Sequence, residues 1–324
     1  DSTPHKWLVV KLADIGDLLT ITPALGRLRA AQPGDTVHVL TTAHSAPILP
    51  PDLVDEIILF DKFAFDRPRD LLRPANLRGG LALARRLRRE RYDTVLILHH
   101  LTTSFGALKY AALALASGAP RRIGLDNGRG WFLTGRAPDG GFGAVHEVAC
   151  WLAVLDAALG HASADSPAPA DFPLHVRIDA ADRTWATERL PSQGGPRIAI
   201  HPGSGGYAPA RRWDPAAFAA VADQLQRRLD ARIVLVGGRG DGTDAVLRAM
   251  AHTPTDLSGS TSLGQLAAVL EACDLFIGAD SGVMHLAAAA GAPVLALFGP
   301  SNAAAWGPWS DRAAVLTSRS LCSP

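Results

Sequence analysis

The sequence predicts an α/β protein of two doubly wound domains, and three features predict it. Short β-branched or Leu-rich runs alternate with longer helical patterns along the chain, as in a parallel sheet joined by crossover helices. The short runs are apolar almost throughout, as strands buried on both faces of such a sheet must be. The alternation breaks once, at "GHASADSPAPADFP" (160–173), where Ala, Pro, Ser and Asp without an apolar period mark a linker or long surface loop. The boundary is placed near residue 175, giving domains 1–175 and 176–324. A chain of 324 residues is long enough for both.

In order, the expected strands of the first domain are "WLVVKL" (7–12), "TVHVL" (36–40), "EIILF" (56–60) and "DTVLILH" (93–99). Those of the second are "RIAIHP" (197–202), "ARIVLVGG" (231–238), "DLFIGA" (274–279) and "PVLALFG" (293–299). Helices are expected over 17–31, 79–91, 104–117, 146–160, 215–229, 263–272 and 283–290. Open α/β sheets bind ligands at the carboxyl ends of their strands, so two such edges are expected to face across a cleft.

Composition narrows the function. The net charge is +1 and neither half is strongly basic, which argues against a nucleic-acid partner. Cys150, Cys273 and Cys322 lie far apart with no C-x-x-C spacing, so no disulfide framework or zinc site is expected and a reducing cytoplasm is the expected location. No apolar stretch reaches the ~18 residues of a membrane span, and "DSTPHKW" is not a signal peptide. Residues 67–91 hold nine arginines against Asp70 and Glu90. That segment reads either as a solvated helix and loop or as a basic face for a phosphorylated acceptor or for anionic lipid at the inner membrane surface.

Three stretches carry chemistry. In "KLADIGDLLTITP" (11–23) a strand gives way to a helix with Asp14 and Asp17 on either side of Ile15-Gly16. In "GADSGVMHLAAAAGAPVLALFGPS" (278–301) a strand ends, Asp280-Ser281-Gly282 turn, and an Ala-rich helix begins. Helix-start amides lack partners and favour anions, and His285 lies one turn in. Asp280 reads equally as an N-cap, and Asp17 does too. In "HPGSGGYAPARRWDPAAF" (201–218) a glycine-dense loop leads to Arg211-Arg212-Trp213, then Asp214-Pro215 opens a helix. Glycines permit an anion nest, and an arginine fork binds phosphate. Two phosphate-binding elements at one sheet edge suggest a nucleoside diphosphate.

The order and spacing of "IGD", "TPAL", "HPGS…RRW", "LVGG", "DLSGSTSLGQLAAVL" and the 278–301 stretch resemble glycosyltransferase family 9, the ADP-heptose heptosyltransferases of lipopolysaccharide core assembly and their relatives. The resemblance implies a GT-B fold with two Rossmann-like domains, the N-terminal one binding acceptor and the C-terminal one binding donor. It implies inverting transfer of heptose from ADP-heptose to a hydroxyl of a glycan or small-molecule acceptor, with neither a cofactor nor a structural metal. Asp17 falls on the general base and Arg211 on a donor-phosphate ligand, where the best-known members carry lysine. Asp280 and His285 fall on the donor-site motif, with the amides of Ser281, Gly282 and Val283 on the pyrophosphate. Gly203 and Ser204 fall near the phosphates, and Asp241 and Thr261 near the nucleoside. Lys11, Asp14 and Gly16 are candidates for the acceptor side.

Inverting transfer needs a base for the acceptor hydroxyl and stabilisation of a departing diphosphate. Asp17 suits the first task, and the 281–283 amides with Arg211 the second, with closure of the two domains expected to assemble them. The competing readings are a non-catalytic nucleotide-sugar-binding protein and a nucleotide-sugar epimerase of GT-B shape. A dinucleotide oxidoreductase fails because no G-x-G-x-x-G follows the first strand.

Overall fold

The computed structural model describes residues 4–61, 73–141, 143–162, 166–205 and 209–317. They form two compact units. One holds the chain through Asp14 together with Thr20–Ala168; the other holds Ile15–Leu19 together with the chain from Pro169.

The first unit is a parallel sheet of β1 (Lys6–Val10), β2 (Thr36–Thr41), β3 (Glu56–Leu59), β4 (Thr94–Ile97), β5 (Arg121–Asp126) and β6 (Gly135–Pro138), in the order β3-β2-β1-β4-β5-β6. The helix α1 (Ile15–Leu19) belongs to the second unit, while α2 (Thr22–Ala31), α3 (Pro74–Glu90), α4 (Ser104–Ser117) and α5 (Glu147–Leu159) belong to the first. The second sheet contains β7 (Arg197–His201), β8 (Arg232–Leu235), β9 (Thr255–Asp256), β10 (Leu275–Ala279), β11 (Val294–Phe298) and β12 (Ala313–Thr317), ordered β12-β11-β10-β7-β8-β9 and parallel. Its helices are α6 (Ala180–Arg189), α7 (Pro215–Leu229), α8 (Thr243–Ala249), α9 (Leu263–Glu271), α10 (Gly282–Ala289) and α11 (Ala303–Trp306). Counted within each unit, both sheets have the doubly wound order 3-2-1-4-5-6, whose crevice lies where the order reverses. Those switch points fall between β1 and β4 and between β7 and β10.

Local chemistry sets the elements. The central strands bury both faces, and Phe218 and Phe276 anchor the second core without exposure, each such burial stabilising by about 1.5–3 kcal/mol. Asp214 caps α7 by accepting from the Ala216 N–H at 3.0 Å, with Pro215 in the first turn, as its sequence requires. The helix expected over 17–31 is two helices. Pro23 opens α2; it has no N–H to donate and its ring would strike the Leu19 carbonyl, so the helix cannot run through. The strands β5, β6, β9 and β12 and the helices α6, α8 and α11 add to those expected from sequence.

The arginine-rich segment lies partly outside the described residues, at 67–72. The rest is largely α3, which buries Leu87, exposes Leu77 and Leu81 at 49% and 54%, and turns Arg78, Arg85 and Arg89 outward. Among the described residues no helix is long and apolar enough to cross a membrane.

Candidate active site

In the second unit, β10 ends at Ala279 and α10 starts at Gly282. The cap is Ser281, whose Oγ accepts from the Met284 N–H at 3.3 Å; Asp280 is released from that role. The N–H groups of Gly282 and Val283 head the helix, where no intrahelical acceptor exists, and both residues are half-buried. Asp280 is 4% exposed and its Oδ2 lies 3.0 Å from Nη1 of Arg211. Burial pushes its carboxyl above the ordinary range, against the opposing pull of Ser301 and Arg211. Arg211 ends a single 3₁₀ turn (Pro209–Arg211) and remains 40% exposed, so the guanidinium keeps donors for a ligand while neutralising Asp280. His285 is buried on α10.

β7 pairs with β10 through Gly278 opposite His201, so the loop His201-Pro202-Gly203-Ser204 leaves the sheet beside the Asp280 turn. Gly203 and Ser204 are buried. Asp241 comes from the loop after β8, and its Oδ2 accepts the Gly238 N–H at 2.6 Å and lies 3.2 Å from His201 Nε2. Burial pushes the Asp241 carboxyl up, but the His201 hydrogen bond, the His201 charge when that ring is protonated, the Gly238 amide and Arg212 outweigh it and hold the group below its ordinary value. A carboxyl depressed by folding contributes stability above the ordinary carboxylate range and loses it as pH falls through the folded value; Asp241 is therefore ionised at neutral pH. Thr261 precedes Ser262, the cap of α9. Its loop is tied to that of Asp241 by the Gly259 N–H donating to the Gly237 carbonyl at 2.8 Å.

The segment Ile15–Leu19 joins this unit through Gly16. A Cβ on Gly16 would stand 2.8 Å from His285 Cδ2 and 3.2 Å from Gly282 Cα, so only glycine lets α1 lie against the start of α10. The next residue, Asp17, is half-buried in the first turn of α1. Helix α1 begins at Ile15, so Asp17 is past the N-cap position. Asp14, exposed, immediately precedes α1.

Lys11 lies in the first unit, just past β1. It is 2% exposed, and its ammonium sits 4.0 Å from the centroid of the Trp151 ring. His100, past β4, packs on the same indole at 5.2 Å between centroids and meets Glu147 Oε1 at 3.0 Å. Sequence reasoning missed His100, Glu147 and Trp151. It also passed over His201, whose only signal was its place as the last residue before the glycine loop.

One group among the described residues has metal-ligand chemistry: His38, Glu56 and Glu90, with ligand atoms within 4.8 Å of one another. It lies in the first unit, where Glu56 opens β3, away from the carboxyl edge. Arg86 already holds Glu56 at 2.6 Å and Lys6 holds Glu90 at 2.5 Å, and a cation would have to displace both. Cys150 and Cys273 are buried, and burial pushes both thiols up to about 12, which leaves them inert as nucleophiles at neutral pH.

Two doubly wound units in one chain, the second carrying the turn and loop just described, define a glycosyltransferase of GT-B class. The family model "Glycosyltransferase family 9 (heptosyltransferase)" matches residues 80–324, and the chain belongs to that family. It is 26% identical to lipopolysaccharide heptosyltransferase 2 of Escherichia coli (strain K12) over 331 aligned residues, covering 96% of this chain and 87% of that protein. The crystal structure of the glycosyl transferase family 9 protein from Veillonella parvula is similar at 27% identity with a TM-score of 0.78, covering 97% of this chain and 86% of that one. The structure of E. coli ADP-heptose LPS heptosyltransferase II has the same fold, with a TM-score of 0.78 at 24% identity over 98% of this chain and 92% of that chain.

Proposed function

We propose that this glycosyltransferase moves heptose from ADP-heptose to a hydroxyl of a glycan acceptor, with inversion and without a metal. The observation that carries the reading is the seat of Asp17, on a helix that abuts the first turn of α10. The acceptor oxygen attacks the anomeric carbon, its proton passes to the Asp17 carboxylate, and the bond to the ADP oxygen breaks on the opposite face. Charge growing on the diphosphate is met by the amides of Ser281, Gly282 and Val283 and by Arg211. Gly203 and Ser204 line the phosphates, while Asp241 and Thr261 lie toward the nucleoside. The names of the similar proteins support heptose as the sugar. Lys11, Asp14 and Gly16 remain assigned to the acceptor side, Gly16 with the added role of spacing α1 from α10.

The direct test is to incubate the protein with ADP-heptose and a heptose-deficient lipopolysaccharide core, following ADP release and the anomeric configuration of the product with excess chelator present. An α/β outcome opposite to that of the donor supports the reading; retention, or dependence on added metal, rejects it. Arg211→Ala is expected to weaken ADP binding ~10–100-fold in calorimetry, the worth of a hydrogen bond between charged partners. The substitution also removes the counter-ion of Asp280, so its carboxyl moves further up. An unchanged Kd would take Arg211 out of the donor site.

A second partner is an anionic membrane surface, met by Arg78, Arg85 and Arg89 with Leu77 and Leu81 on the exposed side of α3. Flotation with vesicles containing anionic lipid at low salt is expected to carry the protein upward and to fail at high salt. No flotation at low salt would remove this contact.

A further inference from the structure

His201 has no part in the reading above, yet it stands between two of its residues. The residue is 1% exposed, with Nε2 3.2 Å from Asp241 Oδ2 and Nδ1 3.2 Å from Ser281 Oγ. The backbone closes around it. A Cβ on Gly203 would lie 2.8 Å from Nε2 and one on Gly237 2.7 Å from Cδ2, so the ring is held in one place. We propose that His201 is a positioning residue that takes up a proton when a diphosphate binds and thereby turns the Ser281 hydroxyl toward it. The inference rests on the donor-site reading of the Asp280 turn.

The hydrogen-bond inventory leads there. An ionised Asp241 only accepts, so Nε2 carries a hydrogen in either state of the ring. With the ring neutral, Nδ1 has a lone pair and must accept the Ser281 O–H, whose hydrogen is then spent inside the protein. With the ring protonated, Nδ1–H donates to Ser281 Oγ. That oxygen then accepts from both His201 and the Met284 N–H, which fills its two lone pairs, and its own hydrogen must point elsewhere. An anion on the amides at the head of α10 offers the acceptor and favours the added positive charge. The proton comes from solvent and returns to it when the diphosphate leaves. The other titratable and charged groups facing this site are Asp280 with its partner Arg211, beside Ser281, Arg212, which acts on Asp241, His285, one turn into α10, and Asp17 on α1, the helix that abuts the start of α10.

The test is calorimetric titration of the full chain with ADP at pH 8, in two buffers of different ionisation enthalpy. The pH lies above the ordinary imidazole range, and the difference in heat gives the protons exchanged. Wild type is expected to take up protons on binding ADP, and the uptake is expected to shrink as the pH is lowered. In His201→Asn an amide near the Nδ1 position can donate to Ser281 without titrating. That variant should bind ADP within ~threefold of wild type at pH 5.5 with no uptake at pH 8, while His201→Ala should lose ~10-fold or more. Should the variants fold poorly, the wild-type ring can be read alone: its ¹⁵N shifts by NMR should move from neutral to imidazolium on adding ADP at pH 8. Binding without proton uptake, uptake that survives in His201→Asn, or unmoved ring shifts would each overturn the proposal. If wild type binds no nucleoside diphosphate at all, the donor-site reading itself falls and takes this one with it.

Discussion

Asp17→Asn is expected to lower kcat for heptose transfer by ~10²–10⁴, the usual worth of a positioned base, or ~3–5.5 kcal/mol of barrier. The amide keeps the volume and the polar contacts of the side chain but cannot take the proton of the attacking hydroxyl. Asp17 is half-buried on a five-residue helix, not in a hydrophobic core, so folding should survive. ADP affinity should change by less than ~threefold, because in the proposed mechanism the diphosphate is held by α10 and Arg211. Steady-state kinetics with ADP-heptose, paired with ADP calorimetry, separate the two effects. A kcat within tenfold of wild type would move the base elsewhere, with Asp14, one residue before α1, as the first alternative.

Gly16→Ala carries the second-largest expected effect. Its methyl would stand 2.8 Å from the His285 ring, closer than a real Cβ comes, and 3.2 Å from Gly282 Cα, a tight contact. His285 is 3% exposed and cannot swing into solvent, so α1 has to move. A shift near 1 Å in a reacting group costs ~10²-fold in rate, and the loss should appear in kcat with the melting temperature little changed. Gly282→Ala is milder by the same geometry, since its Cβ would meet Gly16 N at 3.3 Å and Ile15 Cβ at 3.5 Å. Full activity in Gly16→Ala would mean that the seat of α1 does not set the rate.

The close fit at Gly16 also changes the expectation that closure of two domains brings base and leaving-group stabiliser together. Helix α1 is counted with the second unit although its chain neighbours on both sides lie in the first. In the proposed mechanism Asp17 and the α10 amides therefore share one unit, and any closure serves to bring the acceptor. Sequence reasoning could not see this, because nothing in "IGDLL" says that the chain leaves its own sheet for five residues.

Other parts were legible for physical reasons. The buried strands announce themselves by unbroken apolar runs, and α7 by Asp-Pro at its start. The element α6 is silent because its sequence, "AADRTWATER", buries only Ala186. It is held instead by the reciprocal cap of Asp179 and Asp182 and by Arg183 on Glu271 at 2.7 and 2.9 Å, partners 88 residues apart. The strand β9 is two residues long and β12 is largely exposed, so neither carries a strong apolar signal. At the site, the turn at 280–283 could be read from Ser-Gly before an Ala-rich run. The pairing of Arg211 with Asp280 could not, since 69 positions separate them. His201 reads as one more strand residue until the sheet puts it opposite Gly278.

The central claim is that the switch point between β7 and β10 holds a nucleoside diphosphate. The measurement that tests it most directly is calorimetric titration of the full chain with ADP, GDP, UDP and dTDP under one set of conditions. Saturable binding with clear preference for ADP is the expected result. Binding of none of the four would contradict the claim, and equal or better binding of another base would keep the site but refute ADP-heptose as the donor.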